Sequence, residues 1–174
     1  MEYALRPVSA CFTGYRGNKF PFSLQEENPG LMRLCERLEA AVHSAANDGY
    51  TDFYCGGAWG FDILAGEAVL RARELREGLR LYCILPHEAQ ARGWDAGWRE
   101  RYERMLRGCS GSRALSSGWT KSCYHERNRY MVDRCSRLIC YFDGQPGGTA
   151  YTVRYALQQG VQLVNLAQAE LRCV

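Results

Sequence analysis

The sequence predicts an α/β protein: a single Rossmann-like three-layer domain over residues 1–174, with a mainly parallel sheet. Three observations carry this. Short apolar runs alternate with longer segments of helical periodicity along the whole chain, a pattern that implies parallel strands joined by right-handed crossovers. Glycine-rich turns follow two of the apolar runs directly, at Gly56-Gly57 and at Gly147-Gly148. A length of 174 residues suits one hydrophobic core, and no repeat, low-complexity tract or linker divides it.

The elements follow in order. Val8 to Thr13 is an apolar run stopped by Gly14. Gly17 to Gly30 has the composition of a long surface loop, a candidate lid. Pro29 to Asp48 is helical, with Leu31, Leu34, Leu38, Ala41, Val42 and Ala45 on one face and Gly49 as the stop. Thr51 to Cys55 is the second strand, and Phe61 to Glu77 the helix after it, closed by Gly78. Leu79 to Leu85 is a strand ended by Pro86, and Gly97 to Arg107 is the next helix. Ser112 to Ser116 reads as a short strand and Tyr124 to Arg134 as a helix. Leu138 to Phe142, a helix over Ala150 to Gln159, and Val161 to Leu166 complete the alternation.

In a parallel sheet, ligands bind at the carboxyl ends of the strands. Gly14, Gly56 and Gly57, His87 and Glu88, and Gly147 and Gly148 all follow strands, so they are expected along one edge. The turn Pro146-Gly147-Gly148-Thr149 is the most informative of these. A strand running through glycines into a helix N-terminus is phosphate-binding geometry, because free N–H groups point outward and no Cβ blocks the approach. Gly56-Gly57-Ala58-Trp59-Gly60-Phe61-Asp62 repeats the arrangement upstream. Asp62 falls in a first helical turn, where a carboxylate caps favourably or holds a ribose hydroxyl. Thr13-Gly14-Tyr15-Arg16 closes the first strand, and Arg16 could grip a phosphate through its planar fork, or simply be solvated.

Other classes are not indicated. The net charge of +3 permits an anionic ligand without marking a nucleic-acid or membrane surface. No apolar run is long enough to span a bilayer, and Glu2, Arg6 and Pro7 interrupt any signal-peptide core in Met1 to Val8. The nine cysteines include no C-x-x-C pair, and Cys11, Cys55, Cys83 and Cys140 lie in strands. A reduced, cytoplasmic protein with buried thiols is the expectation, with no metal site. His87-Glu88 and His125-Glu126 lack metal-motif spacing. The mixed charges from Arg99 to Arg107 read as a solvated helix face, and Trp94, Trp98 and Trp119 as core or interface aromatics.

Taken in order, Thr-Gly-x-Arg, Gly-Gly-Ala-x-Gly-Phe-Asp and Pro-Gly-Gly-Thr resemble the SLOG superfamily of Rossmann-like bacterial proteins, nearest its YpsA-like branch, from about Val8 to Leu166. That resemblance implies a nucleotide or nucleotide-derived ligand at the glycine turns, and homodimers or higher homo-oligomers. The ligand-binding set read from the strand-end turns together with the resemblance is Thr13, Gly14, Arg16, Gly56, Gly57, Ala58, Asp62, Glu88, Arg127, Asn128, Gly147, Gly148 and Thr149. The function expected is a nucleotide-binding sensor or regulatory module, with no certain cofactor beyond that ligand.

Two other functions remain open. His125-Glu126-Arg127-Asn128-Arg129-Tyr130-Met131 is similar to the His-Glu-Arg-Lys-x-x-Met helix of the Lonely-Guy phosphoribohydrolases, with Asn128 at the Lys position. Pro146-Gly147-Gly148-Thr149 departs from their second motif, and Thr152 stands where the catalytic Glu belongs. An oxocarbenium-like transition state would lose its carboxylate. If the chain is such a hydrolase, Arg127, Asp62 and Glu88 are its catalytic candidates. DNA-processing protein A belongs to the same superfamily and binds single-stranded DNA, which calls for a basic groove with stacking aromatics.

Overall fold

In the computed structural model, which describes residues 8–167, the strands form one six-stranded sheet in the order β4-β3-β2-β1-β5-β6. The strands are β1 (Ser9–Thr13), β2 (Asp52–Cys55), β3 (Arg80–Leu85), β4 (Gly111–Ala114), β5 (Arg137–Cys140) and β6 (Gln162–Asn165). All the pairings are parallel. The helices are α1 (Pro29–Asn47), α2 (Phe61–Leu75), α3 (Ala96–Gly108), α4 (Cys123–Asp133) and α5 (Gly148–Gln158).

Strand pleating sorts the core. Along β1, Ala10 and Phe12 pack on the side of α1 and α2, while Cys11 faces the side of α4 and α5. In β5 the same alternation sends Ile139 one way and Leu138 and Cys140 the other. Helix α1 presents Leu31, Leu34, Leu38, Val42, Ala45 and Ala46 to the sheet, and Asn28 caps its start through its side chain, accepting from the Gly30 N–H at 2.8 Å. The thiols of Cys11, Cys55, Cys83 and Cys140 are buried.

The chain order positions the site. From β1 the chain winds outward through β2, β3 and β4, then returns to place β5 on the other side of β1. Loops leaving β1 and β5 therefore diverge to opposite faces, and a crevice opens between them at the carboxyl edge.

Some element ends differ from the sequence reading, each for a local reason. Strand β5 stops at Cys140 because Tyr141 turns into an aromatic cluster with Tyr15 and Phe20, and the Phe142 N–H is taken by the side chain of Asn165. Helix α5 starts at Gly148, so the glycine turn is itself the first helical turn. Helix α2 ends at Leu75, where Arg76 becomes extended. The loop read as a lid is pinned down: residues 17–19 form a 3₁₀ turn, and the Phe20 ring lies 4.9 Å from that of Tyr141. Among the described residues no helix is long and apolar enough to cross a membrane. The expectation made for the N-terminus falls on residues 1–7, outside those described.

Candidate functional site

A cleft of about 330 Å³ opens at the β1/β5 divergence. Its floor is the end of β1, Thr13 and Gly14, and one wall is the start of α5, Gly148 and Thr149. Gly147 stands at the N-cap of α5 with a φ of 138°, which suits glycine, and no side chain caps the helix. Its first turn therefore directs unused N–H groups outward. Nothing lies within 4 Å of where a Gly148 Cβ would be, so this turn faces open space.

Cations surround that turn. Lys19 reaches across from the β1 loop, its Nζ donating to the Pro146 carbonyl at 3.1 Å. The loop holding it is strapped to the β5 loop by Tyr15. The Tyr15 hydroxyl donates to the Asp143 carboxylate and accepts from the backbone N–H groups of Asp143 (3.2 Å) and Gln145 (3.3 Å). Arg16 is exposed at the mouth, with its guanidinium carbon 4.9 Å from the centre of the Tyr124 ring.

The opposite wall comes from α2 and α4. Asp62 and Arg127 both line the cleft, yet are only 6% and 3% exposed. Burial pushes the Asp62 carboxyl above its usual range, opposed by the Arg127 guanidinium and the Ala58 N–H. Burial likewise lowers Arg127, with Asp62 pulling the other way. Asp62 Oδ2 accepts from the Ala58 N–H at 3.2 Å. Arg127 donates from Nη1 to the carbonyl of Gly56 and from Nε to Asn128 Oδ1 at 2.7 Å. With Arg16, Lys19 and Arg127 against Asp62, the lining is cationic overall.

Of the residues read from sequence, Thr13, Gly14, Arg16, Ala58, Asp62, Arg127, Asn128, Gly148 and Thr149 line this cleft together. Gly147 forms its rim beneath Lys19, whose Nζ sits 2.7 Å from where a Cβ would be. Gly56 and Gly57 are not among the residues that line this cleft. A Cβ on Gly56 would strike Arg127 and Asp62, so this glycine makes room for the buried charge pair. Gly57 packs toward Gln90 and Tyr102. Glu88 is exposed and is not among the cleft residues, because the turn after Pro86 points its neighbours His87 and Gln90 inward instead. Arg127 is buried on the inner face of α4.

Sequence reasoning missed Tyr15, Asn18, Lys19 and Tyr124, which also line the cleft. Tyr124 precedes Arg127 by three residues on a helix, hence shares its face, and that spacing was a readable signal. Lys19 reaches the site only through the fold of its loop. The turn after β3 holds one more feature: His87 Nδ1 and Gln90 Oε1 are buried without a hydrogen-bond partner, each an omission that costs about 1–3 kcal/mol unless something fills it.

Residues 10–167 match the YpsA model of the YspA SLOG family. The chain is 23% identical over 143 residues to the uncharacterized SPbeta prophage-derived protein YoqJ of Bacillus subtilis (strain 168), covering 75% of this chain and 84% of that protein. It is 21% identical over 144 residues to the UPF0398 protein YpsA of Bacillus subtilis (strain 168), covering 80% of this chain and 78% of that one. Among solved structures, DNA processing protein A from Helicobacter pylori, described for its single-stranded DNA binding mode, aligns with a TM-score of 0.62 at 16% identity, over 95% of this chain and 68% of that chain. At that identity the likeness is one of fold.

Proposed function

The chain belongs to the YspA SLOG family, and from that membership we propose that its cleft binds a phosphate-bearing nucleotide or nucleotide-derived ligand, as a sensor or regulatory module. One observation carries the reading. The uncapped N-terminus of α5 faces open space at Gly148, with Lys19 and Arg16 set around it in a single cleft. Backbone N–H groups at a helix start, next to lysine and arginine, form a site for a phosphate dianion. Asp62 has one oxygen held by Ala58, and its other oxygen can accept from a sugar hydroxyl.

Glycosidic cleavage is the weaker reading. Asn128 and Thr152 are bonded to each other and supply no carboxylate at the position where the hydrolase pattern has its Glu. Binding of single-stranded nucleic acid has one point of support: Arg16 over Tyr124 at the mouth pairs a cation with an aromatic face, the combination such ligands use.

The experiment is a calorimetric titration with nucleoside monophosphates, with chromatography of each mixture for free base. Binding without base release supports the module. Base release abolished by Arg127→Ala would make it a hydrolase. Salt-sensitive binding of an oligothymidylate, without mononucleotide binding, would favour the nucleic-acid reading.

A further inference from the structure

The phosphate site leaves unused the outer surface of the two helices that flank it. On α4, Tyr124 and Asn128 line the cleft, and the residues after them, His125 and Arg129, are exposed. On α5, Gly148, Tyr151, Tyr155 and Gln158 follow at spacings of three, four and three, so they share one face of the helix. Gly148 belongs to the cleft. The other three line an open groove of about 430 Å³ together with Arg129 and Arg154. The groove therefore starts one helical turn beyond the phosphate turn. At its start the His125 and Tyr151 rings join α4 to α5, with centroids 4.2 Å apart.

This groove is cationic and aromatic. Arg129 and Arg154 are its charged lining residues, and both are exposed. The Arg129 guanidinium carbon lies 5.2 Å from the centre of the half-buried Tyr155 ring. Helix α5 carries no carboxylate. The two acids of α4 each accept from a hydroxyl: Asp133 from Tyr155 at 2.6 Å, and Glu126 from Ser122 at 2.5 Å. Charge complementarity calls for an anionic occupant, and the tyrosine rings favour one with flat groups to lay on them. A second copy of this chain across a two-fold axis would bring one cationic patch against another.

We propose that the α4–α5 groove holds a single-stranded oligonucleotide whose terminal phosphate sits at the α5 turn. The inference rests on the phosphate reading above and extends its ligand from one nucleotide to the end of a strand. The stripe from Gly148 to Gln158 is about 15 Å long at roughly 1.5 Å per residue, against about 3.4 Å per phosphate along a stacked strand. Phosphodiesters beyond the first nucleotide can thus pass Arg129 and Arg154, with bases against Tyr151 and Tyr155. The helix turn and its cations suit the dianion of a terminal phosphate better than an internal diester, which carries one charge. Recognition of an end distinguishes this site from general single-strand binding at the cleft mouth.

The test is calorimetry with short oligothymidylates and oligoadenylates bearing a 5′-phosphate, a 3′-phosphate or neither, beside the matching nucleoside monophosphates. At least one end-phosphorylated oligonucleotide should bind about tenfold or more tighter than its monophosphate and than the same strand without the phosphate. The 5′ and 3′ arms show which end is held. Arg129→Gln and Arg154→Gln should each lower that affinity about threefold to tenfold. Each should also reduce the slope of log affinity against log salt by about 0.7. Both are surface substitutions, so monophosphate affinity and melting temperature should stay at wild type. Variants that keep the wild-type oligonucleotide affinity and salt slope would overturn the proposal. Strands bound equally with and without a terminal phosphate would do the same. So would sedimentation showing a dimer that Arg154→Gln disrupts, which would assign the face to a second copy. Oligonucleotides bound no tighter than monophosphates would overturn the groove alone, and no binding of either would overturn the phosphate reading with it.

Discussion

The side-chain amide of Asn128 donates to Thr152 Oγ1 at 2.9 Å, tying the middle of α4 to the second turn of α5. Thr152 in turn donates to the Gly148 carbonyl at 2.9 Å. These are the two positions where the chain departs from the Lonely-Guy pattern of Lys and Glu. In this chain the two residues at those positions are bonded to each other, and together they brace the glycine turn. Thr152→Val keeps the shape but unpairs Asn128, which is 9% exposed. The expected cost is about 1–3 kcal/mol in denaturant unfolding. Wild type and variant should both release no free base from nucleoside monophosphates.

Arg127 and Asp62 are opposite charges buried in the same cleft wall, each acting on the other's protonation, so removing one leaves the other less compensated. Arg127→Met also removes the bonds to the Gly56 carbonyl and to Asn128, and should destabilise the protein by about 1–3 kcal/mol. Adding Asp62→Asn should recover part of that loss, a coupling that a double-mutant cycle by urea denaturation measures. Additive losses would mean that the two side chains do not sense each other.

Gly60 holds the entry to α2 at a φ of 101°, and a Cβ there would come within 2.7 Å of the Gly17 nitrogen and 2.8 Å of the Tyr15 carbonyl oxygen. Backbone atoms cannot move aside as a flexible side chain does. Gly60→Ala is expected to cost more than about 3 kcal/mol, or to prevent folding. Gly148→Ala has free space around it and should leave the melting temperature close to wild type.

The Tyr15–Asp143 strap has a pH signature. The Tyr15 hydroxyl holds the Asp143 carboxyl below its usual value of 3.8. A depressed carboxyl gives stability that is present above the unfolded value and is lost as pH falls through the folded one. Wild type should therefore melt above Asp143→Asn at pH 5 to 7, by an amount equivalent to about 1 kcal/mol for this exposed group. The gap should close as pH drops below 3.8. A gap that is constant across this range would assign the strap to shape alone.

Much of the fold was legible because strand and helix periods alternate cleanly and turns carry glycine or proline. Gly148 was legible for the same reason: its turn is local, and the space around it is a property of a strand leading straight into a helix. The other glycines were legible as glycines but not as to purpose. Gly14 leaves room for the Phe61 ring, and Gly56 for Arg127, a residue 71 positions away. Such packing is non-local and leaves no periodic trace. The burial of Arg127 left no local trace either, because it depends on the Gly56 turn of another element, whose carbonyl accepts its Nη1. Glu88 read as a site residue because it follows a strand, yet the turn after Pro86 exposes it.

The central claim is that phosphate sits at the α5 turn, and Gly148→Asp tests it most directly. The new side chain enters open space at the first turn of a helix, where a carboxylate favours the dipole. Stability should hold or rise slightly. The same carboxylate occupies the phosphate position and repels it. Titration of ribose 5-phosphate and nucleoside monophosphates into wild type and Gly148→Asp, at matched salt, is the measurement. The account predicts binding to wild type and a loss of about a hundredfold or more in the variant, with a melting temperature that is not lowered. Equal affinity in the two proteins would contradict it.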